Sequence, residues 1–403
     1  MLTRQHIDEA AENLRGIARH TELIHSPFYS KTLGTPLYFK CENFQHSGSF
    51  KIRGTYNFLS RQPPQVLAAG VITASAGNHA LGLAGAAALL HCPCRVIMPE
   101  GTPLTKELAT LESGATVELY GNSLTEAESH ARRLAKDEGL LYISPLDHEL
   151  IIAGQGTVGL EILQDLAELD TLLVPIGSGG LVAGVATAIK STKPEVQIIG
   201  VEPACVASAS LARRNGHPKR LTTRCHTFAK ELAMKQIGEL AFPLIEKYVD
   251  EIITVEEEAI AKAIVSLMEK GKLIVEGAGA IGLAALLYSL KPVHKGNTVC
   301  LLSGGNLDVQ SIARVVEQGM LAEGHYLKLR LEIVDMPGAL AQLSNILSAL
   351  KANIFQISHD RRKTTLPLGE AEVTLALETR GTEHIHAILM RLEEEGYQPE
   401  VIR

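Results

Sequence analysis

The sequence has no excess of positive charge and no apolar run long enough to cross a membrane. Its 38 lysines and arginines are outnumbered by 45 aspartates and glutamates, a formal net charge of −7. A negative chain has no general attraction for nucleic acid or anionic membranes, so we expect neither as a partner and take a small molecule as the default ligand. No apolar run reaches about 18 residues, and the N-terminus, MLTRQHIDEAAENLRG, is amphipathic, unlike a secretory signal. A soluble cytoplasmic protein is the expectation.

Cysteine is scarce as well. The six cysteines have neither the density of a disulfide scaffold nor the paired C-x-x-C spacing of a zinc knuckle. We therefore expect reduced thiols and predict no metal site. The cysteines are Cys41, Cys92, Cys94, Cys205, Cys225 and Cys300.

What the sequence does contain is typical of a large folded protein. It has 403 residues, of which 46% are hydrophobic and 21% charged. At about 150 residues per domain this length predicts two or three domains, and the apolar content excludes a disordered chain.

Short β-branched runs alternate with helical patterns from about residue 70 to 320. Because these runs are apolar on both sides, they predict parallel strands covered by helices, an α/β class with doubly wound character. Three of them end in small-residue turns, SAGNHA, GSGGL and SGGN, where open α/β sheets bind ligands. The predicted strands are 71–74, 95–98, 116–120, 171–176, 197–202 and 298–302.

A different pattern begins near residue 327. Leu327, Leu329, Leu331 and Ile333 alternate with charged residues, as in a half-buried strand. Helical spacing, two strand patterns, a second helical stripe and a last strand at 397–402 follow. The order is βαββαβ, a ferredoxin-like unit, so we divide the chain into 1–322 and 327–403.

Two motifs point to chemistry, although neither is specific alone. Lys51 lies among small residues in SGSFKIRG, where the plain alternative is a solvated surface lysine. GSGGL follows an apolar strand and precedes a helix, so its N–H groups suit a phosphate. That loop lacks a Walker lysine and the full GxGxxG spacing, and an ordinary tight turn would look the same.

In combination and order, SGSFKIRG, SAGNHALG, GSGGL and SGGNLD resemble the fold-type II enzymes that use pyridoxal 5′-phosphate (PLP). KCENFQHSGSFKIRG, IAGQGTVGLEI and EGAGA are similar to the threonine dehydratase (threonine ammonia-lyase) branch. DMPGAL, LKANI and LPLGEAEV are similar to the ACT regulatory domain of one group of these enzymes. The resemblance implies a two-lobed, parallel-sheet catalytic region followed by an ACT domain.

The resemblance also implies residue roles. Lys51 would hold PLP as a Schiff base and act as the base, which suits a nucleophilic amine. Phe50 would pack beside the ring, Asn78 would bind its 3′ oxygen and Ser303 its nitrogen. The PLP phosphate would be bound by N–H groups of Gly177, Ser178, Gly179, Gly180 and Leu181. The substrate carboxylate would lie at a turn formed by Ser75, Ala76, Gly77, Asn78 and His79, where His79 is the residue we expect to be structural.

The implied reaction eliminates water from L-threonine, and also from L-serine, and hydrolysis of the product then gives a 2-oxo acid and ammonia. Relatives often have Ala-Asp-Gly near Ala229, bordering the substrate pocket, where this chain has Lys230 and Glu231. Some relatives bind a cation near the residue that matches Glu202, but Ser208 replaces a carboxylate there, and a plain strand-end glutamate is our expectation.

An amino-acid effector would bind the C-terminal domain near Asp335, Gly338, Asn353 and Ile354. Gly338 opens a helix whose N–H groups suit a carboxylate, and Asp335 would bind the ammonium or cap the helix. Domains of this kind pair, which implies a homodimer or homotetramer. Two alternatives stay open, a serine or hydroxyaspartate dehydratase or racemase of the same family, and a non-catalytic amino-acid sensor.

Overall fold

A computed structural model describes residues 2–144, 147–223, 225–289, 296–362 and 366–402. The chain forms two compact units, Met1–Ile312 and Ala313–Arg403. None of the helices in the described ranges combines the length and apolar character that a membrane span requires.

The described residues of the first unit form ten strands. Six of them match the runs predicted from sequence, and the other four, β1, β2, β6 and β9, are additional. The strands are β1 (Leu23–His25), β2 (Leu37–Cys41), β3 (Val71–Ala74), β4 (Cys94–Met98), β5 (Thr116–Leu119), β6 (Leu141–Tyr142), β7 (Thr171–Pro175), β8 (Gln197–Pro203), β9 (Glu251–Val255) and β10 (Thr298–Leu302).

These strands form two sheets. The larger has the order β1-β2-β10-β7-β8-β9 and is parallel except for β1, which pairs antiparallel with β2. The smaller, β5-β4-β3-β6, is parallel throughout. β3, β7 and β10 are buried along their whole length, as the apolar runs predict. The α/β class with parallel sheets is therefore confirmed.

Helices cover both sheets. Several are apolar on all sides and are buried almost completely, because each lies between a sheet and other helices. The helices are α1 (Arg4–Asn13), α2 (Pro27–Leu33), α3 (Lys51–Leu59), α4 (Pro64–Ala69), α5 (Asn78–Leu89), α6 (Leu104–Glu112), α7 (Leu124–Glu138), α8 (Glu149–Asp165), α9 (Gly180–Lys190), α10 (Ser208–Asn215), α11 (Ala241–Tyr248), α12 (Glu257–Ser266), α13 (Gly277–Ala284) and α14 (Val309–Ala322), which contains the boundary between the units.

Helix α8 contacts both α3 and α9 through glycines. A Cβ atom at Gly154 of α8 would lie 2.5 Å from the carbonyl oxygen of Arg53 in α3. A Cβ atom at Gly184 of α9 would lie 2.3 Å from the carbonyl oxygen of Ile152 in α8. Backbone therefore meets backbone at both contacts, and α8 sets the positions of α3 and α9.

A buried ion network also holds α3. Arg53 is 1% exposed, donates to both carboxylate oxygens of Glu42 at 2.8 Å and forms a 2.6 Å ion pair with Glu161. Lys40 lies 2.7 Å from the other oxygen of Glu161. Removing one partner from such a network leaves an unpaired buried charge, so the first turn of α3 is fixed in place.

After the last part of α14, the described residues of the second unit form a four-stranded antiparallel sheet with two helices. Its elements are β11 (Tyr326–Val334), α15 (Ala339–Ala349), β12 (Asn353–Asp360), β13 (Glu370–Glu378), α16 (Thr382–Glu394) and β14 (Glu400–Val401), with the sheet order β12-β13-β11-β14. The predicted βαββαβ order is present. The last strand is much shorter than the predicted 397–402, because only Glu400 and Val401 pair with β11.

The expectation that all cysteines are reduced is wrong for Cys205 and Cys225. They form a disulfide, with Cα atoms 5.5 Å apart. Cys205 follows β8 directly, and the segment after α10 returns to the end of that strand, so the fold brings together residues that are distant in sequence. Cys41, Cys92, Cys94 and Cys300 are free and buried.

Candidate active site

The three small-residue turns follow the carboxyl ends of buried strands. Because β7 and β10 are parallel neighbours, the Gly177–Leu181 loop and the turn at Ser303 lie at the same edge of the larger sheet. β3 of the smaller sheet ends directly before Ser75. Parallel sheets bind ligands at this edge.

Lys51 is held against the Ser303 turn by backbone contacts. The N–H of Phe50 donates to the carbonyl of Ser303 at 3.2 Å, and Ser49 pairs with Gly304 in an isolated bridge. The N–H of Gly305 donates to the carbonyl of Gly48 at 2.9 Å. The structure thus places the predicted lysine and the predicted serine in adjacent segments.

The environment of Lys51 favours the neutral amine. Burial lowers the pKa of Lys51 below its ordinary value, and the carboxylates of Glu231 and Glu276 only partly oppose this. The ammonium of Lys51 lies 5.1 Å from the centre of the Phe50 ring. A buried lysine with a lowered pKa can act as a nucleophile and as a base, whereas a solvated lysine is almost fully protonated.

Asn78 connects the turn after β3 to two other segments. Its side-chain amide donates to Glu276 at 2.5 Å, and its oxygen accepts from Asn306 at 2.6 Å. Asn306 also donates to the carbonyl of Ser47 at 2.9 Å. Glu276 is buried, and its pKa is raised chiefly by that burial, with the nearby charge of Glu231 adding to it. Asn78 therefore has a fixed orientation.

The segment Ser75–His79 contains a turn, Ser75–Gly77, and the first two residues of α5. The hydroxyl oxygen of Ser75 accepts from the N–H of Gly77 at 3.3 Å. His79 is buried, and burial together with the nearby charge of Lys51 lowers its pKa to about 3, so the ring is neutral. Two buried atoms of this cluster, His79 Nε2 and Ser49 Oγ, lack a hydrogen-bond partner within the described part of the chain.

The glycine loop after β7 leads into α9. Gly179 has a φ of +95°, which side chains rarely adopt, and α9 begins at Gly180. The first N–H groups of a helix have no acceptor inside it and suit an anion. A Cβ atom at Gly177 would lie 3.2 Å from the carbonyl oxygen of Glu231, so a short 3₁₀ helix, Lys230–Leu232, lies against this loop.

Four residues of the site were not assigned from sequence. Glu276 and Asn306 lie in EGAGA and SGGN, motifs that were noted without a role for these side chains. Glu231 was noted only as a departure from relatives, and Lys106, in α6, has no motif around it. Glu231, Lys106 and Asn306 line a cavity of about 130 Å³ together with the turn at Gly77.

Glu202 lies near the end of β8. It accepts from the N–H groups of Ala209 and Ser210 at 2.9 Å, at the start of α10. No group of three or more histidine, cysteine, aspartate or glutamate residues suited to a metal occurs among the described residues.

The predicted effector residues all lie in the second unit. Gly338 has a φ of +97° and directly precedes α15. Asp335 does not cap that helix; its carboxylate lies 2.9 Å from Arg361. Asn353 is exposed and donates to Glu378 at 3.1 Å, whereas Ile354 packs against the core of the unit.

Comparison with known proteins gives consistent results. An L-threonine ammonia-lyase of Geobacter sulfurreducens is 51% identical over 403 residues, covering 100% of both chains. The processed form of threonine deaminase isoform 2 from Solanum lycopersicum is 37% identical, with a TM-score of 0.75 over 78% of this chain and 92% of that chain. Maize serine racemase is 32% identical, with a TM-score of 0.74 over 80% of this chain and 99% of that chain.

Residues 14–304 match the family model described as "Pyridoxal-phosphate dependent enzyme". This range contains Lys51, the turn at Asn78, the Gly177–Leu181 loop and Ser303. The chain therefore belongs to the family of pyridoxal-phosphate-dependent enzymes.

Proposed function

We propose that the chain deaminates L-threonine to 2-oxobutanoate and ammonia, and L-serine to pyruvate and ammonia. The observation that carries this proposal is Lys51, whose segment is hydrogen-bonded to the Ser303 turn and whose pKa is lowered by its surroundings. The relative of Geobacter sulfurreducens, similar over its whole length, supports threonine as the substrate. The overall reaction consumes as much water in hydrolysis as the elimination releases.

The cofactor is PLP, and the residues of the site fit it. The lowered pKa of Lys51 suits an amine that bonds to an aldehyde. The loop of two glycines and a serine before α9, which itself begins with Gly180, suits a phosphate. The unpartnered Ser49 Oγ and His79 Nε2 are polar atoms that a polar ligand would satisfy. The PLP ring, when bound, withdraws electrons and so makes the Cα proton of an attached amino acid acidic.

Each predicted residue then has a task. Lys51 holds the cofactor and carries the Cα proton, which its neutral amine can accept. N–H groups of Gly177, Ser178, Gly179, Gly180 and Leu181 bind the phosphate, Phe50 lies beside the ring, and Asn78, oriented by Glu276, binds the ring oxygen. Ser303 offers a hydroxyl to the ring nitrogen. Ser75, Ala76, Gly77, Asn78 and His79 form the turn that binds the substrate carboxylate.

We also propose that the second unit is an ACT regulatory domain in a homodimer or homotetramer, and that isoleucine or valine binds it. Its βαββαβ order and the left-handed Gly338 before α15 support this, since the N–H groups at that helix start suit an amino-acid carboxylate. Asp335 can bind the ammonium of an effector only if that ammonium replaces Arg361 as its partner. Asn353 and Ile354 would border the same site.

A substrate panel tests the proposal. Purified enzyme is given threonine, serine or 3-hydroxyaspartate, with and without isoleucine and valine, and 2-oxo acid release is followed together with racemisation. We expect threonine to be the best substrate and Lys51→Ala to abolish turnover and the visible absorbance of the cofactor. Racemisation without 2-oxo acid would instead support the racemase that the maize structure suggests. A protein without cofactor absorbance would indicate a non-catalytic sensor.

A further inference from the structure

Glu231 places a carboxylate beside the turn that the proposed function assigns to the substrate. It lies in the 3₁₀ helix Lys230–Leu232, with a side chain that is 27% exposed. A Cβ atom at Gly77 would lie 2.4 and 2.5 Å from the two carboxylate oxygens of Glu231. The carboxylate is thus against the backbone that precedes α5.

Lys106 of α6 lies across from it. Its ammonium is 3.8 Å from the Glu231 carboxylate, and both side chains line the cavity of about 130 Å³. The same cavity is bordered by Gly77, Asn78 and Asn306. Gly77 and Asn78 belong to the segment Ser75–His79, so this cavity borders the residues proposed to bind the substrate carboxylate. It is a small space with the carboxylates of Glu231 and Asp308 and the ammonium of Lys106 at its wall.

The charged side chains that line the cavity distinguish substrates by the group attached to the substrate Cβ. A substrate hydroxyl can donate a hydrogen bond to the Glu231 carboxylate, as a charge-assisted bond. A carboxylate on the substrate would meet Glu231, whose charge Lys106 only partly balances across 3.8 Å, and Asp308, which lines the same cavity. Like charges in a half-buried cavity repel strongly because water screens them poorly.

We propose that Glu231, held by Lys106, is a specificity-determining residue that restricts the enzyme to β-hydroxy amino acids without a second carboxylate. This rests on the proposed function, because it assigns the cavity to the substrate side chain. It discriminates between threonine or serine and 3-hydroxyaspartate.

The test compares threonine and 3-hydroxyaspartate on the holoenzyme. Binding is measured from the change each amino acid causes in the visible absorbance of the cofactor, and turnover from 2-oxo acid release. For the wild type we expect kcat/KM for threonine at least about 100-fold above that for 3-hydroxyaspartate. Glu231→Gln should raise the ratio of kcat/KM for 3-hydroxyaspartate to kcat/KM for threonine by about tenfold or more. Glu239→Gln, the same change at an exposed position of the same segment, should leave the ratio unchanged.

Lys106→Met provides the opposite change. It leaves the Glu231 charge unbalanced, so KM for threonine should rise several-fold and discrimination against 3-hydroxyaspartate should increase. The double variant Lys106→Met, Glu231→Gln should have the same ratio of the two kcat/KM values as Glu231→Gln alone. This order of effects does not follow from a purely structural role, and Lys106→Met remains informative if Glu231→Gln does not fold.

Two results would overturn the inference. One is a wild type that binds 3-hydroxyaspartate as tightly as threonine. The other is a ratio of the two kcat/KM values that stays within about twofold of the wild-type ratio in both Glu231→Gln and Lys106→Met. Absence of 2-oxo acid from threonine would overturn the proposed function instead, since the binding ratio is measured without turnover.

Discussion

Ser303 is a neutral residue at the position proposed for the pyridine nitrogen. It is 3% exposed and its carbonyl accepts from Phe50, so its segment is fixed next to Lys51. A hydroxyl stabilises a protonated ring less than a carboxylate does, which favours elimination over transamination.

Replacement of Ser303 should therefore change rate and spectrum but not cofactor content. We expect Ser303→Ala to lower the elimination rate about tenfold, the effect of losing one hydrogen bond of about 1.4 kcal/mol. Ser303→Asp should shift the visible spectrum toward a protonated ring. Stopped-flow assays and absorbance spectra measure both effects. If both variants kept the wild-type rate and spectrum, Ser303 would not contact the ring.

Glu276 should make the stability of the cofactor-free protein depend on pH. Its pKa is raised from about 4.5 to about 8, chiefly by burial and also by Glu231, while the Asn78 hydrogen bond and the charges of Lys106 and Lys51 act the other way. The folded state therefore holds a proton that the unfolded state has released. The resulting stabilisation is complete below pH 4.5 and is lost as pH rises toward 8.

We expect the free energy of unfolding to fall across this window by up to about 1.4 kcal/mol per pH unit from this group. Glu276→Gln should flatten the dependence, whereas Glu239→Gln should not. Urea titrations at several pH values measure it. Parallel curves for wild type and Glu276→Gln would contradict the assignment.

Single residues differ in how far the sequence could predict them. Lys51, Asn78 and Ser303 were predicted because the motifs that contain them resemble, in combination and order, those of a known family. Lys106 was missed, since it lies on α6 and reaches the site only through tertiary packing. The role of Glu276 was missed because its burial depends on contacts between distant segments.

At the scale of elements, the Gly177–Leu181 loop depends on one backbone conformation. Gly179 has a φ of +95°, and a Cβ atom there would lie 2.8 Å from Ile237, 2.9 Å from Ile245 and 3.0 Å from Ala241. Any side chain would both strain the turn and push it from α11. The position of the first N–H groups of α9 would then change.

Gly179→Ala should weaken PLP binding by about tenfold or more, since misplaced N–H groups lose charge-assisted bonds of about 1.5 to 3 kcal/mol each. Gly101→Ala is the matched control, because a Cβ atom there meets no atom within 4 Å. Fluorescence or absorbance titration of the cofactor-free proteins with PLP measures the difference. Equal affinities in the two variants would show that the loop does not bind the phosphate.

The elements that the sequence predicted best are fully apolar strands. β3, β7 and β10 are buried throughout, so their composition alone marks them. β1, β5 and β9 are partly exposed, and only β5 was predicted. β14 was predicted too long, because Tyr397 packs against the core of its unit without joining the sheet.

At the scale of the whole molecule, the chain has two compact units with their own cores. If the second unit is regulatory, an effector acts only by favouring one subunit arrangement, with a coupling of about 1 to 3 kcal/mol. We expect a protein truncated after residue 322, which keeps all of α14, to retain dehydratase activity but lose any response to isoleucine or valine.

Gly338→Asp in the full-length chain should have the same effect as truncation. Gly338→Ala is its control, because both substitutions meet the same unfavourable φ of +97° and only the aspartate adds negative charge at the start of α15. Initial rates across an effector series measure the response. An undiminished response in the truncated protein would place the regulatory site in the first unit.

The backbone contacts of α8 limit which substitutions this sequence can accept. α3 begins with Lys51 and α9 follows the Gly177–Gly179 turn, and α8 touches α3 at Gly154 and α9 at Gly184. Every amino-acid replacement at these two positions adds a Cβ atom where a carbonyl oxygen lies 2.5 or 2.3 Å away. Such a mutation moves the lysine and the loop apart while leaving both intact. A substitution in one of the three helices therefore requires compensating changes in the others. Loss of activity can arise from residues that never touch a ligand.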